Sequence, residues 1–241
     1  MRSLVVGDIH GGLKGLQQGL ERAEPQAEDQ FVFLGDYVDG WSEAAETVSF
    51  LIDFAEKFDC IFIRGNHDWL THRFLKQGED NPMWDMHGGT ATKLSYRDLA
   101  SDELQKHLLF YENLKNFHID DHNRLFIHAG FTNLHGPQHE YFRNLVFWDR
   151  TLWETARCLD PDLDLEHPNY PARLKLFHEI YIGHTPVTRL GSTSPLNFAN
   201  VWNIDTGAAF RGPVTLLDVD SKEYWQSDPV YLFYPDEEGR N

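Results

Sequence analysis

The sequence has 241 residues, 41% of them hydrophobic, and a formal charge of −17 from 21 basic and 38 acidic side chains. A chain of this length buries a full core without disulfide or structural-metal support, and acidity scattered without a long basic run disfavours nucleic-acid binding. No stretch reaches the roughly 20 apolar residues of a membrane span, two cysteines give no disulfide framework, and Ser3–Val6 starts too close to Met1 for a signal peptide. A cytoplasmic protein with no membrane partner is expected.

In chain order, Ser3–Val6 and residues 31–34 read as buried strands, and Leu13, Leu16 and Leu20 between them fall at helical spacing. Ala44, Val48, Leu51, Ile52 and Ala55 form a second helical face, and residues 60–63 supply a third strand, giving β-α-β-α-β. Residues 77–100 lose this rhythm and are expected to form a cap inserted into a single domain that spans 1–241. A helix from Ser101 or Asp102 to about Leu114 and a hairpin of Phe117–Ile119 with Arg124–Ile127 follow. Residues 138–177 are expected to be mostly helical, interrupted by the acidic loop 160–171. Strands are then expected at Glu179–Ile182, 201–204, 214–219, 223–226 and Val230–Phe233, and no internal repeat occurs.

Five polar clusters each follow an apolar strand: Gly7-Asp8-Ile9-His10-Gly11, Gly35-Asp36-Tyr37-Val38-Asp39, Gly65-Asn66-His67-Asp68, His128-Ala129-Gly130 and Gly183-His184-Thr185. Strand ends are where α/β sheets bind ligands. Taken singly, Asp8 and His10 read as a capping pair, and His128 or His184 as a buried, satisfied histidine. Five clusters in succession point instead to a metal site. Mixed Asp, Asn and His donors suit manganese, iron or zinc better than calcium or a thiolate zinc site, and their number suits two ions.

These motifs resemble those of the metallophosphoesterase superfamily, and within it the phosphoprotein phosphatase branch that includes bacterial and phage lambda-type serine/threonine protein phosphatases. Gly-Asp-x-His-Gly, Gly-Asp-x-Val-Asp, Gly-Asn-His-Asp, His-Ala-Gly and Gly-His-Thr-Pro recur in family order between residues 7 and 207, and Asn203 to Ala208 resembles a segment that closes many bacterial members. The resemblance implies an α/β fold of the calcineurin-like type: a four-layer α/β/β/α sandwich of two mixed sheets. It implies that Asp8 and His10 hold a first metal, that Asp36 bridges, and that Asn66, His128 and His184 hold a second. It further implies two divalent or trivalent transition metals, manganese in vitro with iron or zinc as alternatives, and in-line attack on phosphorus by a hydroxide between them. His67 would be the general acid and Asp39 its orienting partner. Asp68, where narrower protein-phosphatase members carry Glu, is expected to support its loop.

The sequence departs from the pattern after Asp39. The protein-phosphatase branch continues with Arg-Gly, whereas this chain reads Gly40-Trp41, so a phosphate-clamping arginine is missing. Phe147-Trp148-Asp149-Arg150 resembles the Trp-Asn-Arg of lambda-type phosphatases, which implies a clamp at Arg150; Arg143 and Arg64 are weaker candidates. Trp41, Trp84 and Tyr96 are expected in core or cap packing more than in a substrate cleft. The resulting expectation is a metal-dependent phosphomonoester hydrolase acting on a phosphorylated protein, peptide or small phosphoester. The alternatives are a symmetrical dinucleoside-polyphosphate hydrolase and a non-catalytic metal-containing binding protein.

Overall fold

The structure is a computed structural model that describes residues 2–240. Its first half runs β1 (Ser3–Val6), α1 (Leu13–Ala23), β2 (Gln30–Phe33), α2 (Ala44–Ala55), β3 (Asp59–Phe62) and α3 (Asn66–Gln77). The segment expected as an insertion contains a one-turn helix α4 (Pro82–Trp84), a wide turn through Gly88 at φ 101° and α5 (Thr90–Ser95), and α6 (Ser101–Asn113) follows it. The second half contains β4 (Phe117–Ile119), β5 (Arg124–Ile127), α7 (Thr151–Cys158), β6 (Glu179–Ile182), β7 (Leu196–Phe198), β8 (Val201–Asn203), β9 (Thr215–Asp218) and β10 (Tyr224–Gln226).

Among the described residues ten strands form two mixed sheets, ordered β10-β9-β1-β2-β3 and β4-β5-β6-β8-β7. β1, β2 and β3 are parallel, as are β5, β6 and β8; antiparallel strands β9 and β10 extend the first sheet on one side, with β3 its parallel edge, and antiparallel β4 and β7 form both edges of the second. Side chains alternate between two apolar layers, as the strand period of two requires. Leu4, Val6, Phe31 and Phe33 pack with Leu16, Leu20, Val48 and Leu51 of α1 and α2. Val5, Val32 and Leu34 turn the other way and meet Phe126, Tyr181 and Ile204 of the second sheet. The stacked rings of Phe126 and Tyr181, 5.1 Å apart, mark this inner layer. Leu125, Ile127, Ile180 and Ile182 face outward onto Leu152, Trp153 and Leu174. The expected two-sheet fold is therefore present, with the parallel strand ends on both sheets available to one site.

Two expectations fail. Val230–Phe233 is a 3₁₀ turn, not a strand: Pro229 precedes it, and Val230 is wholly buried while Leu232 is exposed, so its apolar run does not alternate as a strand would. Residues 138–177 hold only α7 as an α-helix; Arg143–Phe147 and Ala172–Leu176 are 3₁₀ turns, each too short a run of apolar residues for a longer helical face. Cys60 and Cys158 are both free, and among the described residues no helix is long and apolar enough to cross a membrane.

Candidate metal centre

Close backbone approach builds the site. A Cβ on Gly35 would stand 2.5 Å from the backbone nitrogen of Gly65, and one on Gly65 would stand 2.1 Å from Asp36 Oδ1, so neither loop tolerates a side chain there. Asp68 ties the same two loops together by accepting from the backbone N–H groups of Asp36, Tyr37 and Gly65 at 2.8, 2.9 and 2.8 Å. Burial and the charge of Asp36 nevertheless push the Asp68 carboxyl up to about 7. Four site residues, His10, Asp36, Asp39 and His184, hold left-handed backbone at φ 55°, 54°, 69° and 67°.

The six expected ligands are brought together, all buried. They fall into two overlapping groups that could each hold an ion, Asp8–His10–Asp36 and Asp36–His128–His184, with Asp36 common to both. Asn66 joins the second through Oδ1, 2.9 Å from His184 Nδ1 and 3.2 Å from His128 Nε2. Asp36 Oδ1 is occupied by the His67 N–H at 3.0 Å, which leaves Oδ2 facing His128 Nε2 at 3.3 Å and His10 Nε2 at 3.6 Å. Asp8 Oδ2 lies 3.6 Å from the same His10 nitrogen and accepts the His184 N–H at 3.2 Å.

The donor set fits a metal on its own chemistry. His10 Nδ1 donates to the carbonyls of Val38 and Asp39 at 3.0 and 2.8 Å, and His128 Nδ1 to that of Leu34 at 2.8 Å. In the neutral tautomers both Nε2 lone pairs then point at a buried carboxylate, an arrangement that needs a positive charge between them. A proton can serve: although burial works against it, Asp36 pushes the His128 imidazole up to about 9. Burial also opposes ionisation of Asp36, yet His128, His67 and His10 hold its carboxyl well below the usual range. His184 is driven well down by burial and by the charge on His128, which keeps it a neutral donor.

His67 and Asp39 stand beside this cluster. His67 Nδ1 is 2.6 Å from Asp39 Oδ2, and the rings of His67 and His10 meet edge to face at 5.1 Å. Burial lowers the His67 imidazole below its ordinary value, and Asp36 and Asp39 only partly offset this. Sequence reasoning missed two further contacts to Asp39. Trp84 Nε1 donates to Oδ2 and Thr92 Oγ1 to Oδ1, the latter at 2.5 Å. They come from α4 and α5, and neither carries a motif.

A cavity of about 560 Å³ opens over Asp36, Asn66, His67 and His184, walled by Trp69, Trp84, Trp148 and Phe210 and by three arginines, Arg150, Arg189 and Arg240. Arg150 reaches it with Nη1 held by Thr185 Oγ1 at 2.8 Å, and Asp149 beside it accepts the Leu152 N–H at 2.9 Å at the start of α7. Arg64 is structural, donating to the Tyr111 carbonyl at 2.8 Å, and Arg143 is exposed away from the cavity. Trp41 and Tyr96 belong to the core, as expected, whereas Trp84 both packs and lines the cleft.

The family model described as calcineurin-like phosphoesterase matches residues 1–211. The chain is 27% identical over 223 residues to serine/threonine-protein phosphatase 1 of Salmonella typhimurium, covering 89% of this chain and 90% of that one. It is 27% identical over 233 residues to the asymmetrical bis(5'-nucleosyl)-tetraphosphatase PrpE of Bacillus thuringiensis, covering 90% of each. In fold it is similar to the cold-active protein-tyrosine phosphatase of a psychrophilic Shewanella, with a TM-score of 0.58, 14% identity, and 94% and 80% of the two chains covered. With its motifs at the strand ends of a double sheet and the family match running through all of them, the chain belongs to the calcineurin-like phosphoesterases and is a metallophosphoesterase.

Proposed function

We propose that the protein is a dinuclear phosphomonoesterase that removes phosphate from phosphoserine, phosphothreonine or phosphotyrosine in a protein or peptide. The observation that carries this reading is Asp36 Oδ2 facing one histidine of each ligand group, with the His67–Asp39 pair at the same cavity floor. Asp8, His10 and Asp36 would hold one ion, and Asp36, Asn66, His128 and His184 the other. Bound there, transition cations supply an acidified water and neutralise charge on the phosphoryl oxygens.

The chain's own residues do the rest. Asp39 accepts from His67 Nδ1, so when the ring takes up a second proton as imidazolium that proton sits on Nε2, the nitrogen left for the departing oxygen, and His67 lines the cavity. Arg150 commits one nitrogen to Thr185 and offers the remaining donors of its fork to the phosphoryl group. The tryptophan walls exclude water and give an aromatic or peptide leaving group an apolar surface.

A second reading is asymmetrical dinucleoside tetraphosphate hydrolysis. It is favoured by the relative of that name over 90% of both chains and by three arginines on one cavity, enough donors for a polyphosphate. Because that relative is named asymmetrical, this form replaces the symmetrical one expected from sequence. Family membership displaces the non-catalytic alternative.

The test is turnover by protein loaded with Mn²⁺, Fe²⁺ or Zn²⁺ on aryl phosphate, phosphopeptides and diadenosine tetraphosphate, beside His67→Ala and Asp36→Asn. Phosphopeptide turnover lost in both variants supports the first reading. Much faster cleavage of the dinucleotide would transfer the assignment to the second.

A further inference from the structure

Gly40 stands at the place where the sequence pattern calls for an arginine, and the structure fills that place from elsewhere in the chain. A Cβ built on Gly40 would lie 3.0 Å from the His10 carbonyl oxygen and 3.5 Å from Cγ of Arg240, 200 residues away in sequence. A Cβ built on Gly88, on the turn between α4 and α5, would lie 3.2 Å from the same Arg240 Cγ. The Arg240 stem thus lies between two glycines whose missing side chains leave it room. Its guanidinium reaches past them to the metal-ligand cluster, with Nη1 3.4 Å from His10 Nε2 and Cζ 5.5 Å from the centre of the Phe210 ring. Nε is buried and has no hydrogen-bond partner among the described residues.

The segment that carries Arg240 is held by the residues that follow Gly40. Tyr234 stacks on Trp41 with ring centroids 5.2 Å apart and planes 18° from parallel. Glu237 accepts from the backbone N–H and the hydroxyl of Ser42 at 2.9 and 2.6 Å. Gly239 lies so close to Trp41 that a Cβ would come within 2.7 Å of the indole, and the Arg240 N–H donates to the Ala209 carbonyl at 2.9 Å. Trp41 is itself fixed by donating Nε1 to the Ala208 carbonyl at 2.7 Å. Gly40 clears the space and Trp41 seats the segment that enters it, so the two departures from the sequence pattern act as one.

We propose that Arg240 is a phosphate-binding residue of this enzyme, lining the same cavity as Arg150 and donating to phosphoryl oxygens held over the proposed metal ligands. This rests on the reading of the site as a phosphoesterase centre. A guanidinium keeps its charge at any working pH and presents a planar fork that matches two phosphoryl oxygens, which is the chemistry position 40 lacks.

The experiment compares wild type with Arg240→Gln, Arg240→Lys and Arg240→Ala, Mn²⁺-loaded, on an aryl phosphate, with competitive inhibition by inorganic phosphate as a second readout. Arg240→Gln keeps most of the stem and its packing on Phe210 while removing the charge. We expect it to lower kcat/KM by about 10²-fold and to weaken phosphate inhibition by at least about tenfold, with an unchanged melting temperature. Arg240→Lys should recover part of both losses, because a point charge replaces the fork only incompletely. If wild type turns over and both Gln and Ala variants stay within about twofold in kcat/KM and in phosphate inhibition, the assignment of Arg240 is overturned while the phosphoesterase reading stands. No turnover by wild type with any transition metal overturns the reading beneath it.

Discussion

Trp84 donates its indole N–H to Oδ2 of Asp39, the same oxygen that lies 2.6 Å from His67 Nδ1. The helix α4 therefore shares an acceptor atom with the pair proposed for acid–base work, His67 and Asp39. Two donors on one carboxylate oxygen fix its direction and divide its accepting lone pairs between them. In Trp84→Phe, Asp39 should swing more freely and pull harder on the His67 proton. The expected result is a kcat lower by about 10- to 10²-fold, for loss of one charge-assisted hydrogen bond worth roughly 1.5–3 kcal/mol, with KM little changed. The pH above which the rate falls should move upward. A pH–rate profile of Trp84→Phe beside Thr92→Val measures both, and a profile superimposable on wild type would remove Trp84 from the positioning role.

Arg150 is held by Thr185, so its removal has a local cost and a substrate cost. Arg150→Ala should raise KM and lower kcat/KM by about 10²-fold, as expected for a charge-assisted clamp of roughly 2–3 kcal/mol. Thr185→Val, which frees Nη1 without deleting the charge, should cost only a few-fold. Equal losses in the two variants would mean that Arg150 acts through the fold and not through the phosphate.

The proposed ligands come from both sheets: Asp8, Asp36 and Asn66 follow β1, β2 and β3, and His128 and His184 follow β5 and β6. A bound ion would tie the two layers, and any ligand that binds only the folded chain stabilises it, by about 2.7 kcal/mol at a hundredfold excess over Kd. Chelation should lower the melting temperature by roughly 5–10 °C in a chain of this size. Differential scanning calorimetry with and without EDTA reads this directly, and Asp36→Asn should show little response to the chelator.

Away from the site, Asp29 is 2% exposed and paired with Arg2 at 2.5 Å. Burial opposes its charge, but hydrogen bonds from Arg2 and from the backbone of Gln26 hold it at about 2. The unfolded carboxyl titrates near 3.9, so the folded value is depressed and the stabilisation is complete above about pH 4. It is lost as pH falls from about 4 towards 2, and amounts to roughly 2 kcal/mol. Asp29→Asn should destabilise at neutral pH and flatten the slope of stability against pH in that window, as measured by urea unfolding.

The strand-end motifs were legible because each is local: a glycine, a carboxylate or imidazole, and an apolar run before it. β1 appears with the bounds the sequence predicts, and β2 and β3 begin one residue early. α3 was not legible, since the residues it buries are Asn66, His67, Asp68 and Thr71. Its inner face is the site itself, and a helix that buries polar ligands shows no apolar stripe. Trp84, Thr92 and Arg240 were out of reach for another reason. Each meets the centre through a contact 45 to 230 residues distant in sequence, set by tertiary packing and announced by no spacing.

Left-handed backbone at His10, Asp36, Asp39 and His184 has a consequence for how this protein can change. Non-glycine residues hold that conformation at about 1–2 kcal/mol each, and here the cost falls on side chains proposed as metal ligands or as the partner of the general acid. Glycine at such a position relaxes the backbone and deletes the functional group in one step. Selection for thermal robustness alone would therefore drift towards inactive chains, and stabilising this enzyme without disarming it means changing residues outside the three loops that carry these four residues.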